Sequence, residues 1–204
     1  MTTATDNLEG RKADLLEQLR RAIVEDRQVM DSEPAKTATQ LVFGDGNPAA
    51  KIVFVGEAPG ASEDKAGRPF VGQAGQLLEE CLREVGLSRQ EDVWITNLVK
   101  HRPPANRDPS EEEKRLYAGY LDQELAVIQP TVVIPLGRHA ASHFLSDFSI
   151  SRQHGQARRV SYEFADGRTE DLLIMPFYHP AAALYNPQLL ATIKEDFKKL
   201  QSIL

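Results

Sequence analysis

Short apolar runs of β-branched character alternate along this chain with longer segments of helical period, and that alternation restricts its fold more than any other feature. Lys51 to Val55, Val93 to Val99 and Thr131 to Leu136 read as strands. Between the first two, Gly75 to Leu87 turns Leu77, Leu78, Cys81, Leu82 and Val85 to one side of a helix that stops at Gly86. Ser110-Glu111-Glu112-Glu113 opens the next helix with a capping hydroxyl and acids that suit the positive helix start, and its apolar side runs through Leu116, Tyr120, Leu121, Leu125 and Ile128. Gly137-Arg138 begins another helix, and a last one covers about Pro187 to Leu200. Val160 to Phe164 and Leu172 to Phe177 flank Asp166-Gly167, a turn pair that predicts a hairpin. Upstream, Leu15, Leu16, Leu19 and Ile23 predict an amphipathic N-terminal helix over about 8–28, packed on the rest of one domain spanning 1–204. Strands separated by helices of ~10 to 15 residues imply a largely parallel sheet covered on both faces. The expected fold is α/β: a three-layer αβα sandwich on a mostly parallel four-stranded sheet, plus a small hairpin.

Two segments a long way apart each close one of these strands with reactive side chains: Gly56-Glu57-Ala58-Pro59-Gly60, and His179-Pro180-Ala181-Ala182 after Phe177-Tyr178. In open α/β sheets the binding crevice lies at the carboxyl ends of the strands, so both point to one site. A dinucleotide reading of the glycines fails, because the spacing after Gly56 is not GxGxxG and Pro59 interrupts it. Pro180 forces the backbone of His179 to be extended and stiffens that turn. His139, His143 and His154 lack such a context and read as structural.

The bounds suit a compact enzyme. A chain of 204 residues buries roughly 70% of its unfolded surface. A lone cysteine, Cys81, excludes an internal disulfide framework and fits a reducing compartment. The polar start from Met1 to Asp14 shows no secretory signal, and no apolar run approaches ~20 residues, so a cytoplasmic chain with no membrane partner is expected. The net charge of -6 argues against a globally basic nucleic-acid binder, yet a local basic lip on an acidic body suffices to engage a phosphate backbone.

With Gly56 to Gly60 and His179 to Ala182, the run Glu63-Asp64-Lys65-Ala66-Gly67-Arg68-Pro69-Phe70-Val71-Gly72-Gln73-Ala74-Gly75 and the later Thr96-Asn97-Leu98-Val99-Lys100 resemble, in this order, the family-four branch of the uracil-DNA glycosylase superfamily. The resemblance covers roughly residues 29 to 200 and implies a monofunctional enzyme that flips uracil out of DNA and hydrolyses its glycosidic bond, with free uracil and an abasic site as products. It places Glu57 at the base pocket and Glu63 as the main catalytic carboxylate, the choice between them staying open. Ala58 stands where other branches carry an aspartate. His179 is the donor to uracil O2, and Asn97 can read O4 and N3–H together. Gly60, Asp64 and Phe70 complete the substrate residues, Phe70 by stacking on the base. Gly72 admits a phosphate or the pyrimidine edge. Lys100, Arg102, Arg107 and Arg158 are the expected grips on DNA, and Leu184 is the wedge that fills the vacated base position.

The resemblance departs at one place. Family-four enzymes hold a four-iron cluster on four cysteines, and the matching positions here are Met30, Glu33, His101 and Tyr117. Such a cluster needs four thiolates, so no cofactor and no metal are expected. No lysine other than Lys65 lies in the matched catalytic segments, so strand cleavage through a Schiff base is not expected. A monomer acting on uracil-containing DNA is the first reading. The alternative is a member of the superfamily that binds uracil-DNA with little or no turnover; some relatives trap DNA through a histidine near the position of His101, but Pro103 to Pro109 is not their inserted basic loop, and the role of His101 stays open.

Overall fold

The computed structural model describes residues 4–201 and residue 203. Its centre is a six-stranded sheet in the order β1-β3-β2-β4-β6-β5. The strands are β1 (Asp45–Gly46), β2 (Ile52–Gly56), β3 (Val93–Asn97), β4 (Val132–Pro135), β5 (Arg158–Glu163) and β6 (Thr169–Ile174). Four of them, β3, β2, β4 and β6, run parallel, and β1 and β5 add antiparallel edges. The expected hairpin is therefore not an appendage. Its second arm is the fourth parallel strand, and its first arm closes that edge of the sheet.

Each central strand is buried on both faces, which is why it reads as a continuous apolar run. The period of two sends alternate side chains to different layers. Val53, Val55, Trp94 and Val133 pack with Leu16, Leu19, Ile23, Leu121, Leu125 and Ile128. Ile52, Phe54, Val93, Ile95 and Ile134 pack with Leu78, Leu82, Ile193 and Phe197. The helices of the first layer are α1 (Ala4–Glu25) and, further along, α6 (Glu111–Ile128). Lys12 on α1 donates to the carbonyl of Ile128 at 2.7 Å, placing an ammonium at the negative end of α6.

The N-terminal helix starts earlier than the expected residue 8 and ends at Glu25, because Asp26 turns the chain by accepting the N–H of Gln28 at 2.8 Å. Two short helices follow, α2 (Arg27–Met30) and α3 (Glu33–Thr37), and α4 (Ala61–Ala66) and α5 (Gln73–Glu84) come between β2 and β3. The expected cap of α6 is present as a reciprocal pair: Glu113 N–H donates to Ser110 Oγ at 3.1 Å, and Ser110 N–H donates to Glu113 Oε2 at 2.7 Å. After β4 come α7 (Arg138–Phe144) and α8 (Ile150–Gln153), and after β6 α9 (Ala181–Tyr185) and α10 (Leu189–Gln201). Among the described residues, no helix is long and apolar enough to cross a membrane.

Candidate active site

The carboxyl ends of β2 and β3 and the segment after β6 surround a cavity of about 790 Å³. Parallel pairing sets Gly56 beside Asn97, and the bridge between Leu136 and Phe177 carries the later segment to the same rim. Glu57, Ala58, Gly60, Glu63, Phe70, Gly72, Asn97, Arg107, His179 and Leu184 all line the cavity. The two distant motifs thus meet.

A glycine at 56 is required. A Cβ there would run into Asn97 Oδ1 and approach Phe70 Cζ to 2.7 Å. Phe70 adopts a left-handed backbone at φ 52°, a conformation an L residue holds only when its neighbours impose it. They do so from outside the cavity. The buried Arg89 donates to the carbonyl of Phe70 at 2.9 Å and to that of Pro69, and its Nε donates to Asp45 Oδ2 at 2.9 Å on the edge strand. So held, the Phe70 ring stacks against His179, centroids 5.5 Å apart.

His179 Nδ1 accepts the N–H of Ala181 at 3.1 Å. In a neutral imidazole the proton then sits on Nε2, leaving a donor free. Burial pushes this histidine down to about 4, with Glu63 opposing, so the neutral form prevails at physiological pH.

The two candidate carboxylates differ sharply in their surroundings. Glu63 Oε1 accepts the N–H groups of Val71 at 2.9 Å and Gly72 at 2.7 Å, and Oε2 accepts that of Gly60 at 3.2 Å. It fastens the loop before α5 to the start of α4. Glu57 Oε1 is buried with no hydrogen-bond partner, as is Asn97 Oδ1. Burial pushes Glu57 up to about 7, with Lys114 opposing and Asp108 adding to the rise. A buried acceptor without a partner is costly unless a ligand completes it.

Several expected residues lie elsewhere. Asp64 is buried outside the cavity wall, where its carboxylate takes the N–H of Thr39 at 2.8 Å and the Thr39 hydroxyl at 2.9 Å, so it anchors a loop. Lys100 cannot grip phosphate. It is 0% exposed and paired to Glu124, which also accepts from Trp94 Nε1 at 2.7 Å and Thr96 Oγ1 at 3.1 Å. Arg102 donates to Asn106 Oδ1 at 2.7 Å. Arg107 is bound by Glu113 at 2.6 Å and Glu33 at 2.7 Å. Arg158 begins the edge strand opposite Ile174 and does not line the cavity. Leu184 stands exposed at the rim beside Tyr185, which is 89% exposed. His101 is buried and hydrogen-bonds the Tyr117 hydroxyl at 2.8 Å, outside the cavity wall.

Two residues at the site were not singled out from the sequence. His139 Nδ1 lies 3.6 Å from Glu57 Oε1, although its context reads as structural, and Lys114 Nζ lies 3.7 Å from the same oxygen. Glu57, Asp108 and His139 offer donor atoms within 4.8 Å of one another. The cation standing among them is Lys114, whose Nζ is 3.3 Å from His139 Nδ1.

This sheet and cavity belong with a known group of proteins. The model of the uracil DNA glycosylase superfamily matches residues 43–202, and the chain belongs to that superfamily. Within it, a type-4 uracil-DNA glycosylase of Archaeoglobus fulgidus is 47% identical over 170 residues, which cover 81% of this chain and 82% of the relative. One of Sulfurisphaera tokodaii is 45% identical over 171 residues, covering 81% and 75%. A type-5 uracil-DNA glycosylase of Thermus thermophilus is 34% identical over 142 residues, covering 62% and 64%.

The iron–sulfur cluster that the family resemblance implies does not fit the side chains present. Cys81 is buried in α5, where desolvation pushes its thiol up to about 11. At the four matching positions, Glu33 is paired to Arg107 and His101 to Tyr117, while Met30 offers only a thioether. Four thiolates cannot be assembled from this set.

Proposed function

We propose that this chain is a monofunctional uracil-DNA glycosylase. The observation that carries this is the convergence of two unpartnered buried acceptors, Glu57 Oε1 and Asn97 Oδ1, in one cavity walled by the Phe70 and His179 rings. A flipped uracil satisfies such a wall: its N3–H donates to Asn97 Oδ1, its O4 accepts from the Asn97 amide, and its face lies on Phe70. As the C1′–N1 bond breaks, the electron pair moves onto the base, and the Nε2–H of His179 meets the charge that gathers on O2. A water oxygen bonds to C1′ and passes a proton to Glu57, leaving an abasic site. Uracil departs as the anion and takes its proton from solvent.

Glu57 suits the base role better than Glu63, whose oxygens are already engaged by three backbone N–H groups. Glu57→Gln is expected to lower single-turnover release of uracil from an oligonucleotide by about 10²- to 10⁴-fold at unchanged melting temperature. Glu63→Gln should act first on stability, by loosening the loop before α5. A parental rate in folded Glu57→Gln would return the base role to Glu63. Leu184 is the wedge, and the DNA path runs over the loop containing Arg102 and Arg107. Covalent trapping by His101 is disfavoured by its burial against Tyr117.

We further infer that no metal or iron–sulfur cofactor takes part. Arg107 joins Glu33 to Glu113, and the Tyr120 hydroxyl donates to Asp26 at 2.6 Å, so polar contacts tie the N-terminal segment to α6 and the loop before it. Anaerobically purified protein should be colourless and free of iron; stoichiometric iron with visible charge-transfer absorbance would overturn this. A single buried cysteine suits the reducing cytoplasm, and every group that the chemistry uses comes from one chain, as in a working monomer.

A further inference from the structure

Glu57 is approached from three elements. The loop before α6 brings Asp108, α6 brings Lys114 with Glu111 behind it, and α7 brings Arg138 and His139. Their charges do not act alike. Asp108 disfavours an anion at Glu57. His139 is a poor cation, because burial, Lys114 and Arg138 all lower its affinity for a proton. Arg138 opposes protonation of Glu57 less than Lys114 does. Lys114 is therefore the principal positive charge within reach of the unpartnered oxygen.

Its placement is built, not incidental. The Lys114 side chain is only 11% exposed, and its ammonium is oriented by Glu111 Oε1 at 3.1 Å, with the His139 ring 3.3 Å away at Nδ1. At 3.7 Å from Glu57 Oε1 it is near enough to favour the carboxylate and too far to bond it directly. That oxygen is buried without a hydrogen-bond partner, on a residue that lines the cavity.

We propose that Lys114 is a positioning residue of this site, whose ammonium, held by Glu111 beside the His139 ring, keeps Glu57 a carboxylate and so sets the acid limit of the reaction. The inference rests on Glu57 being the base in uracil excision. Without Lys114, burial and Asp108 act with less opposition and raise Glu57 further, so protonation removes the base at a higher pH.

Two readouts test this on the full chain. One is single-turnover uracil release as a function of pH. The other is the titration of the Glu57 carboxyl carbon by NMR of protein labelled at its glutamates, assigned with Glu57→Gln. In both Lys114→Met and Lys114→Gln, the acid limb and the carboxyl titration should move to higher pH by about one unit or more, the effect of losing an opposite charge at this range. Lys114→Arg should restore most of the shift. Two variants guard against one failing to fold. A Glu57 titration at the parental pH in either folded variant overturns the inference, as does a rate loss equal at every pH. If the parent releases no uracil at any pH, the proposed function fails instead, and the carboxyl titration still decides the role of Lys114.

Discussion

Replacing His179 by alanine is expected to slow single-turnover release of uracil by about 10²- to 10³-fold, the loss that follows removal of one donor aimed at a developing anion. Binding to uracil-DNA should change far less, because the donor matters most once charge has moved onto the base. The geometry behind this is specific. The N–H of Ala181 occupies Nδ1, so Nε2 carries the hydrogen, and burial keeps the ring neutral. A neutral donor can stabilise the leaving anion without first binding a proton from solvent, so the rate should show no dependence on His179 ionisation near neutral pH. A folded His179→Ala variant with a near-parental rate would reduce His179 to packing against Phe70.

The second large effect concerns which base is accepted. Asn97→Asp should abolish detectable uracil excision, while trace excision of cytosine emerges. Uracil offers an acceptor at O4 beside a donor at N3; cytosine offers the reverse, and a fixed amide meets two mismatches. Each buried polar group left unpaired costs about 1 to 3 kcal/mol, so the two together account for strong rejection of the normal base. Uracil release at the parental rate by folded Asn97→Asp would show that other groups read the base.

Some of this arrangement was legible from the residues alone. β2, β3 and β4 announce themselves because both faces of each strand are buried, and their ends carry the motifs that meet at the cavity. β1 gave no such signal: Asp45–Gly46 has neither length nor apolar pattern, and it pairs antiparallel with Trp94 and Ile95. The burial of Lys100 was equally hidden. A lysine next to His101 and Arg102 reads as a basic lip, and only the acid Glu124, on a helix that packs over the sheet, turns it inward. Asp64 misled through proximity to Glu63, since adjacent residues on a helix point in different directions. Lys114 and His139 escaped for a related reason. They reach Glu57 from two other helices, and nothing in their own neighbourhoods marks that meeting.

The Phe70 ring has a further consequence. Its backbone is held in a left-handed conformation by Arg89, which is itself anchored on Asp45 at the edge of the sheet, and neither of these residues lines the cavity. The shape of the cavity is therefore inherited in part from a pair that lies outside its wall. A lineage could lose base discrimination through drift at Arg89 or Asp45 with every cavity-lining residue intact, and an inventory of those residues alone would record the site as unchanged.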